Sequence, residues 1–362
     1  MNTYDAFMDD VDKGRSGYNR SLTTGLPRLD NSIGGNQREI YILIGGNTGT
    51  GKTAFVDSAF VINPYNAFKV QYLEANSSDR HRINFRVFYY SFEIAKKKKI
   101  AKWVCYLILI HYKMIIDIRE VYSKKSTLSQ EKYDLIVKCR DYIEAMEEYV
   151  HIFDRPTNPY GIFKQVEDYM LANGRVIDVT KIVKGVPLLF KQYIPNDPFE
   201  IVQVVVDHIA LLRPETDFRT KKEIIDKDSE NAITLRNIYG VSRISVCQFN
   251  RDLADIDRRR FAELSPQLED FKNTGNPSED AEIVMTTFNP LRYNLARYGP
   301  NNMDVIRLGG RYRSISILKD RDGTDMKKLD LNFCGECGHF REFPDPFMDD
   351  HYIRGKDYKP WK

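Results

Sequence analysis

The residues best equipped for chemistry lie in one short stretch, Gly46-Asn47-Thr48-Gly49-Thr50-Gly51-Lys52-Thr53, which fits the pattern G-x-x-x-x-G-K-[ST]. The glycines Gly46, Gly49 and Gly51 let the backbone take positive φ and approach a phosphate closely, so that successive N–H groups and the following helix N-terminus point at negative charge. Lys52 offers a positive charge to β- and γ-phosphates, and the Thr53 hydroxyl is a natural ligand for Mg²⁺. Such a loop works only between a strand and a helix. Ile40 to Ile44 has the branched and aromatic content of a buried strand, and Ala54-Phe55-Val56 starts a helix, so the required context is present.

Three further polar residues follow apolar runs. Phe85 to Phe92 reads as a strand ending on Glu93, and Ile201 to Val206 reads as a strand buried on both faces of a parallel sheet, ending on Asp207. Ser242 to Gln248 is another, with Gln248 at its end. The carboxyl ends of strands line the ligand crevice of an open α/β sheet. Glu93 is therefore either a base that orients water toward a γ-phosphate or a helix N-terminal residue favoured by the dipole. Asp207 is placed to hold Mg²⁺ or its water opposite Thr53. Gln248 either senses the γ-phosphate or hydrogen-bonds at a strand end.

The elements that must position these groups fit within 362 residues as one enlarged α/β domain. Lysine and arginine number 54 against 51 acidic residues, so the net charge of +3 gives no general argument for nucleic acid, and any contact with DNA must come from local patches. Five cysteines, Cys105, Cys139, Cys247, Cys334 and Cys337, in so long a chain fit a reducing compartment. The opening MNTYDAFMDDVDKG is no signal peptide, and Trp103 to Ile118, interrupted by His111, Lys113 and Asp117, reads as a core helix and not a membrane span.

Between these landmarks, residues 1–20 read as a short helix or a loose arm. Lys96-Lys97-Lys98-Lys99 reads as a solvated helix face. Helices are expected over Gln130 to Tyr149, Pro159 to Met170 and Glu223 to Tyr239, with a brief strand at His151 to Asp154. The stretch 172–200, rich in glycine and proline, reads as an irregular insertion. The long segment Arg251 to Pro277 is a candidate functional loop. Strands follow at Ala281 to Phe288, Arg313 to Lys319 and Lys328 to Phe333, and 344–362 is a tail without periodicity. In Cys334-Gly335-Glu336-Cys337-Gly338-His339 at most three metal ligands are offered where structural zinc wants four, and the plainer reading is a hairpin turn.

The order of these parts is more specific than any one of them. TTGLPRLDNSIGG, the phosphate loop, FYYSFEIAKKK, VVVDHIALLRP, CQFNRDL, NTGNPSEDAEIV and ILKDRDG together resemble the RecA-like motor domain of DnaB-type replicative helicases over Ser21 to Phe343. The resemblance implies a RecA-like P-loop core, a mostly parallel sheet flanked by helices with late hairpin strands, using ATP and Mg²⁺. It implies that Lys52 and Thr53 hold phosphates and metal, Glu93 polarises the attacking water, Asp207 completes the metal site and Gln248 couples nucleotide state to the loop after it. Lys319 and Arg321 match cations that family members insert into a neighbouring subunit's site, which makes the unit a ring, expected to be hexameric. Lys272-Asn273-Thr274-Gly275, with Arg251, falls where the family follows the phosphates of single-stranded DNA, and Lys272 keeps the charge of the family's arginine without its bidentate fork.

The division implied is an arm at 1–20, a motor at 21–343 and a tail at 344–362, in the cytoplasm of a bacterium or phage-infected cell. Polarity of 5′ to 3′ is expected from the resemblance alone. The family's amino-terminal collar, which recruits primase, has no counterpart before residue 21, and His208 stands where the family usually has tyrosine. Partners would be single-stranded DNA, further copies of the chain, and primase, a loader or other replication proteins. The same core serves recombinases that form filaments on DNA and ATPases that remodel a partner without translocating. The Lys-x-Arg hairpin and Glu279-Asp280-Ala281-Glu282 favour the helicase.

Overall fold

The structure, a computed structural model, describes residues 3–73, 83–124, 126–183, 186–215, 220–249, 264–271, 276–323 and 327–343. Its centre is a nine-stranded sheet. In chain order the strands are β1 (Tyr41–Gly45), β2 (Asn84–Ser91), β3 (Val150–Phe153), a separate ribbon of β4 (Gly174–Val183) and β5 (Val186–Pro195), then β6 (Glu200–Asp207), β7 (Ser242–Val246) and β8 (Ile283–Phe288). After the two-residue strands β9 (Arg297–Tyr298) and β10 (Met303–Asp304) come β11 (Tyr312–Asp320), β12 (Lys328–Cys334) and β13 (His339–Glu342). The spatial order is β13-β12-β11-β8-β1-β7-β6-β2-β3. From β8 to β3 all neighbours are parallel, and β11, β12 and β13 add antiparallel strands at one side.

β1 and most of β6 read as apolar runs because both faces of the sheet are covered, and the polar side chains within β6 and β7, such as Gln203 and Arg243, are buried. Ile42 and Ile44 of β1 pack in one layer with Phe55, Phe60, Trp103 and Leu107, whereas Tyr41 and Leu43 pack in the other with Val166, Ile224 and Leu235. The first layer is built from the helix that starts at Lys52 and continues to Leu73, with π-helical turns at Asp57–Ile62 and Lys69–Leu73, and from Lys96–Tyr112, Gln130–Lys138 and Arg140–Glu147. The second layer consists of Pro159–Ala172 and Lys221–Tyr239. The last of these begins on a capping box between Thr220 and Glu223 and stops at Gly240, whose φ of 71° is left-handed. The arm forms a helix, Thr3–Arg15.

Two expectations are corrected here. The insertion is not irregular: β4 and β5 form an antiparallel ribbon in register from Gly174↔Pro195 to Val183↔Val186. Its base packs on the second helix layer through Tyr193, whose hydroxyl donates to the Met170 carbonyl at 2.8 Å and whose ring lies 5.5 Å from that of Tyr239. Further out, Val186, Leu188, Leu189 and Phe190 are exposed, Leu189 to 68%. The lysine run is not wholly solvated either. Lys96, Lys97 and Lys98 are exposed, but Lys99 has no accessible surface. No helix among the described residues is long and apolar enough to cross a membrane.

Candidate nucleotide-binding site

Parallel register brings the polar strand ends together. Ser91 of β2 is level with Asp207 of β6, Asp207 with Val246 of β7, and Val246 with Ile44 of β1. Glu93, Asp207, Gln248 and the phosphate loop thus share one edge of the sheet. Glu93, Gln248 and the loop border a cleft of about 800 Å³, lined at this end by Thr48, Lys52, Thr53, Glu93, His208 and Gln248, with Asp207 buried behind Thr53.

The loop's conformation follows from its glycines. Gly51 (φ 100°) hands the chain to the helix beginning at Lys52, and a Cβ there would lie 3.1 Å from the Phe340 ring. Gly46 is extended, and its need is space, since a Cβ would lie 2.6 Å from the Thr287 carbonyl. The Lys52 ammonium folds back onto the loop, donating to the carbonyls of Gly46 (2.7 Å) and Asn47 (3.0 Å). Burial holds its pKa below the usual lysine value, against the attraction of nearby acids. Gln248 Nε2 donates to Thr48 Oγ1 at 2.9 Å.

Beneath the loop, Thr53 Oγ1 donates to Asp207 Oδ1 at 3.2 Å. Asp207 is 1% exposed, and burial raises its pKa while Lys99 opposes the rise. An alcohol and a carboxylate oxygen so placed are the hard donors that a magnesium ion takes, together with phosphate oxygens and water. His208, next in the chain, turns inward; its Nδ1 accepts from the Ala210 N–H at 3.2 Å, and burial, with Lys52 and Lys221 nearby, lowers its pKa to about 4.

Several side chains that sequence reasoning passed over complete the floor. Lys99 Nζ donates to Asp57 Oδ1 (3.0 Å) and to the Tyr89 hydroxyl (2.8 Å), and lies 3.8 Å from Asp207 Oδ2. Tyr89 in turn donates to Asp207 Oδ2 at 3.4 Å. Arg313 braces the loop from β11: Nε donates to the Thr50 carbonyl at 3.0 Å, and Nη1 to those of Gly310 (2.9 Å) and Tyr312 (2.7 Å). Its guanidinium lies 4.8 Å from the Phe333 ring centroid. Arg292 donates to the Thr48 carbonyl from the turn after β8. Helical spacing was the available signal for Lys99, which shares a face with the buried Trp103 and Tyr106.

Lys319 and Arg321 are elsewhere. Lys319 Nζ donates to the carbonyls of Ser278 (3.1 Å) and Glu279 (2.6 Å), Arg321 Nη2 donates to that of Glu279 (2.9 Å), and neither lines the cleft of its own chain. Arg251, Lys272, Asn273, Thr274 and Gly275, and the tail 344–362, lie outside the described residues. The C-x-x-C segment is the turn between β12 and β13, with Gly338 N–H donating to the Cys334 carbonyl at 2.7 Å. No group of three or more His, Cys, Asp or Glu side chains able to hold a metal occurs among the described residues.

Comparison with known proteins agrees with this architecture. Residues 175–342 match the family model described as the DnaB-like helicase C terminal domain. No curated protein matches the sequence. Among solved structures, one described as an ATPase domain is similar with a TM-score of 0.68 at 18% identity, covering 95% of this chain and 99% of that one. A DnaB-like replicative helicase, solved in a study of its interactions with primase, gives 0.67 at 18% identity over 94% of this chain and 68% of that one. At such identity these likenesses establish the fold. The chain thus has the α/β fold of these solved structures, and its residues 175–342 are similar to the DnaB-like helicase C terminal domain.

Proposed function

We propose that this chain is an ATP-driven replicative DNA helicase motor that works as a ring, hydrolysing ATP between subunits while it translocates on single-stranded DNA. The observation that carries the reading is a division of labour: Thr53 and Asp207 meet at 3.2 Å beneath the phosphate loop, whereas Lys319 and Arg321 are held outside that cleft. One copy thus presents the phosphate loop and the metal ligands, and a neighbour's Lys319 and Arg321 would supply cations to the far side of the γ-phosphate. Residues 46–53 cradle the phosphates and Lys52 neutralises their charge. Bound Mg²⁺, held by Thr53 and Asp207, would spread the charge of the β- and γ-oxygens. Glu93 accepts a proton from the attacking water, and Gln248 links the nucleotide to the segment of Arg251 and 272–275 that follows DNA. In this scheme 1–20 is an arm, 21–343 the motor and 344–362 a tail, acting in the cytoplasm with 5′ to 3′ polarity and with primase or a loader as further partners.

The test is ATP hydrolysis with and without single-stranded DNA, comparing wild type with Lys52→Ala, Glu93→Gln and Arg321→Ala. Stimulation by DNA is expected, with loss in all three variants. Mixing Lys52→Ala with Arg321→Ala should restore activity, because each supplies what its neighbour lacks. Intact nucleotide binding with no stimulation by DNA would overturn the helicase reading in favour of a partner-remodelling ATPase.

A further inference from the structure

The floor of the cleft contains more charge than a phosphate loop with one metal ligand requires. Asp57 is one helical turn beyond Thr53, lines the cleft, and is almost as buried as Asp207. Two carboxylates beside one hydroxyl would attract a divalent cation with or without nucleotide. Lys99 pairs with both carboxylates. Its ammonium has no accessible surface, sits 3.0 and 3.3 Å from the two Asp57 oxygens, and is 3.8 Å from Asp207. Tyr89 fixes the arrangement by accepting from Lys99 and donating to Asp207. Lys52, folded onto the loop carbonyls, and Lys102 also act on this group, so that three acids, Asp57, Asp207 and Glu93, are matched by three ammonium groups, Lys52, Lys99 and Lys102.

We propose that Lys99 is a positioning residue that serves as a resident cation: it neutralises the Asp57–Asp207 pair so that a divalent metal enters only together with nucleotide phosphates. The inference rests on the reading of Thr53 and Asp207 as metal ligands. Without nucleotide the floor has no charge to spare for a metal. When a triphosphate arrives, its oxygens supply both ligands and the missing negative charge. The lysine also holds Asp57 in an ion pair, leaving Asp207 to serve as the metal's carboxylate.

The experiment measures Mn²⁺ binding to the full chain by electron paramagnetic resonance, with and without a non-hydrolysable ATP analogue. In wild type, tight binding that requires the analogue and is lost in Asp207→Asn supports the underlying metal reading; failure there refutes that reading and this inference with it. Given that result, Lys99→Met should bind Mn²⁺ without nucleotide at least about tenfold more tightly than wild type, the effect of removing one nearby positive charge. The charge count predicts an order of nucleotide-free affinity: Lys99→Met strongest, Lys99→Met/Asp57→Asn close to wild type, and Asp57→Asn weakest. If Lys99→Met does not fold, the same comparison is made between the double variant and Asp57→Asn, where tightening is again expected. Equal nucleotide-free affinity with and without Lys99 would overturn the proposal and leave Lys99 as a purely structural ion pair, while the metal reading stood.

Discussion

Replacing Arg313 with methionine should loosen the phosphate loop from behind. The side chain is 6% exposed and donates to three carbonyls, those of Thr50, Gly310 and Tyr312. Hydrogen bonds from a charged donor contribute about 1.5–3 kcal/mol each, so three give roughly 6 kcal/mol before costs. Against this, burial and the neighbouring Arg292 lower the guanidinium pKa from 12.5 to about 10, which at about 1.4 kcal/mol per decade is a cost of roughly 3 kcal/mol. The remainder, about 3 kcal/mol, is the expected loss in Arg313→Met, and in a domain of this size it corresponds to a fall in melting temperature of about 5 °C. Because Thr50 lies within the loop, affinity for a fluorescent ATP analogue should fall too. Arg313→Lys, which keeps the charge but not the fork, should lie between the two. Calorimetry and an analogue titration decide the matter: a methionine variant with wild-type melting and affinity would refute the reasoning, since the three carbonyls would then not depend on this donor.

Gly51→Ala forces a side chain onto a residue at φ 100° and within 3.1 Å of Phe340, so a destabilisation of about 1–3 kcal/mol with weakened nucleotide binding is expected, and unchanged binding would show that the turn adapts. His208 and His339 are both lowered by burial from 6.5 to about 4, so between those values the unfolded chain binds more protons than the native one. Their contribution is complete above pH 6.5 and falls away toward pH 4, a loss of about 2 kcal/mol each by pH 5. Buried carboxyls such as Asp207 act in the opposite direction, so the readout is the difference between wild type and His208→Asn or His339→Phe in urea midpoints at pH 7.5 and pH 5. Variants that lose as much stability as wild type on acidification would refute the assignment.

The parallel core was legible because strands covered on both faces are largely apolar, as in Ile201 to Val206 where Gln203 is the one polar residue, and because Glu93, Asp207 and Gln248 come at or just after strand ends on the same sheet edge. The position of Asp207 at that edge could be read directly for that reason. The ribbon was not legible: its outer residues Val186, Leu188, Leu189 and Phe190 are all exposed, so no buried face imposes alternation, and Pro187 and Pro195 mark turns elsewhere but here sit at strand ends. Lys99 was hidden by the three exposed lysines before it, since a charge run shows no face until helical phase is applied. Arg313 resembled an ordinary polar residue in an alternating strand, and its partner, the Thr50 carbonyl, is 263 positions away.

The ribbon leaves and rejoins the body at adjacent residues. Gly174 pairs with Pro195, and the Asn196 N–H donates to the Asn173 carbonyl at 2.8 Å, so the two ends are already clasped before the strands extend. For the sheet behind it, the whole excursion is equivalent to a short connection between a helix and β6. Beyond the Val176–Tyr193 pair, which packs on the helices, it is therefore a graft point: cutting the ribbon back there, or exchanging its outer part for a reporter whose termini lie close together, should leave the strand that delivers Asp207 in place.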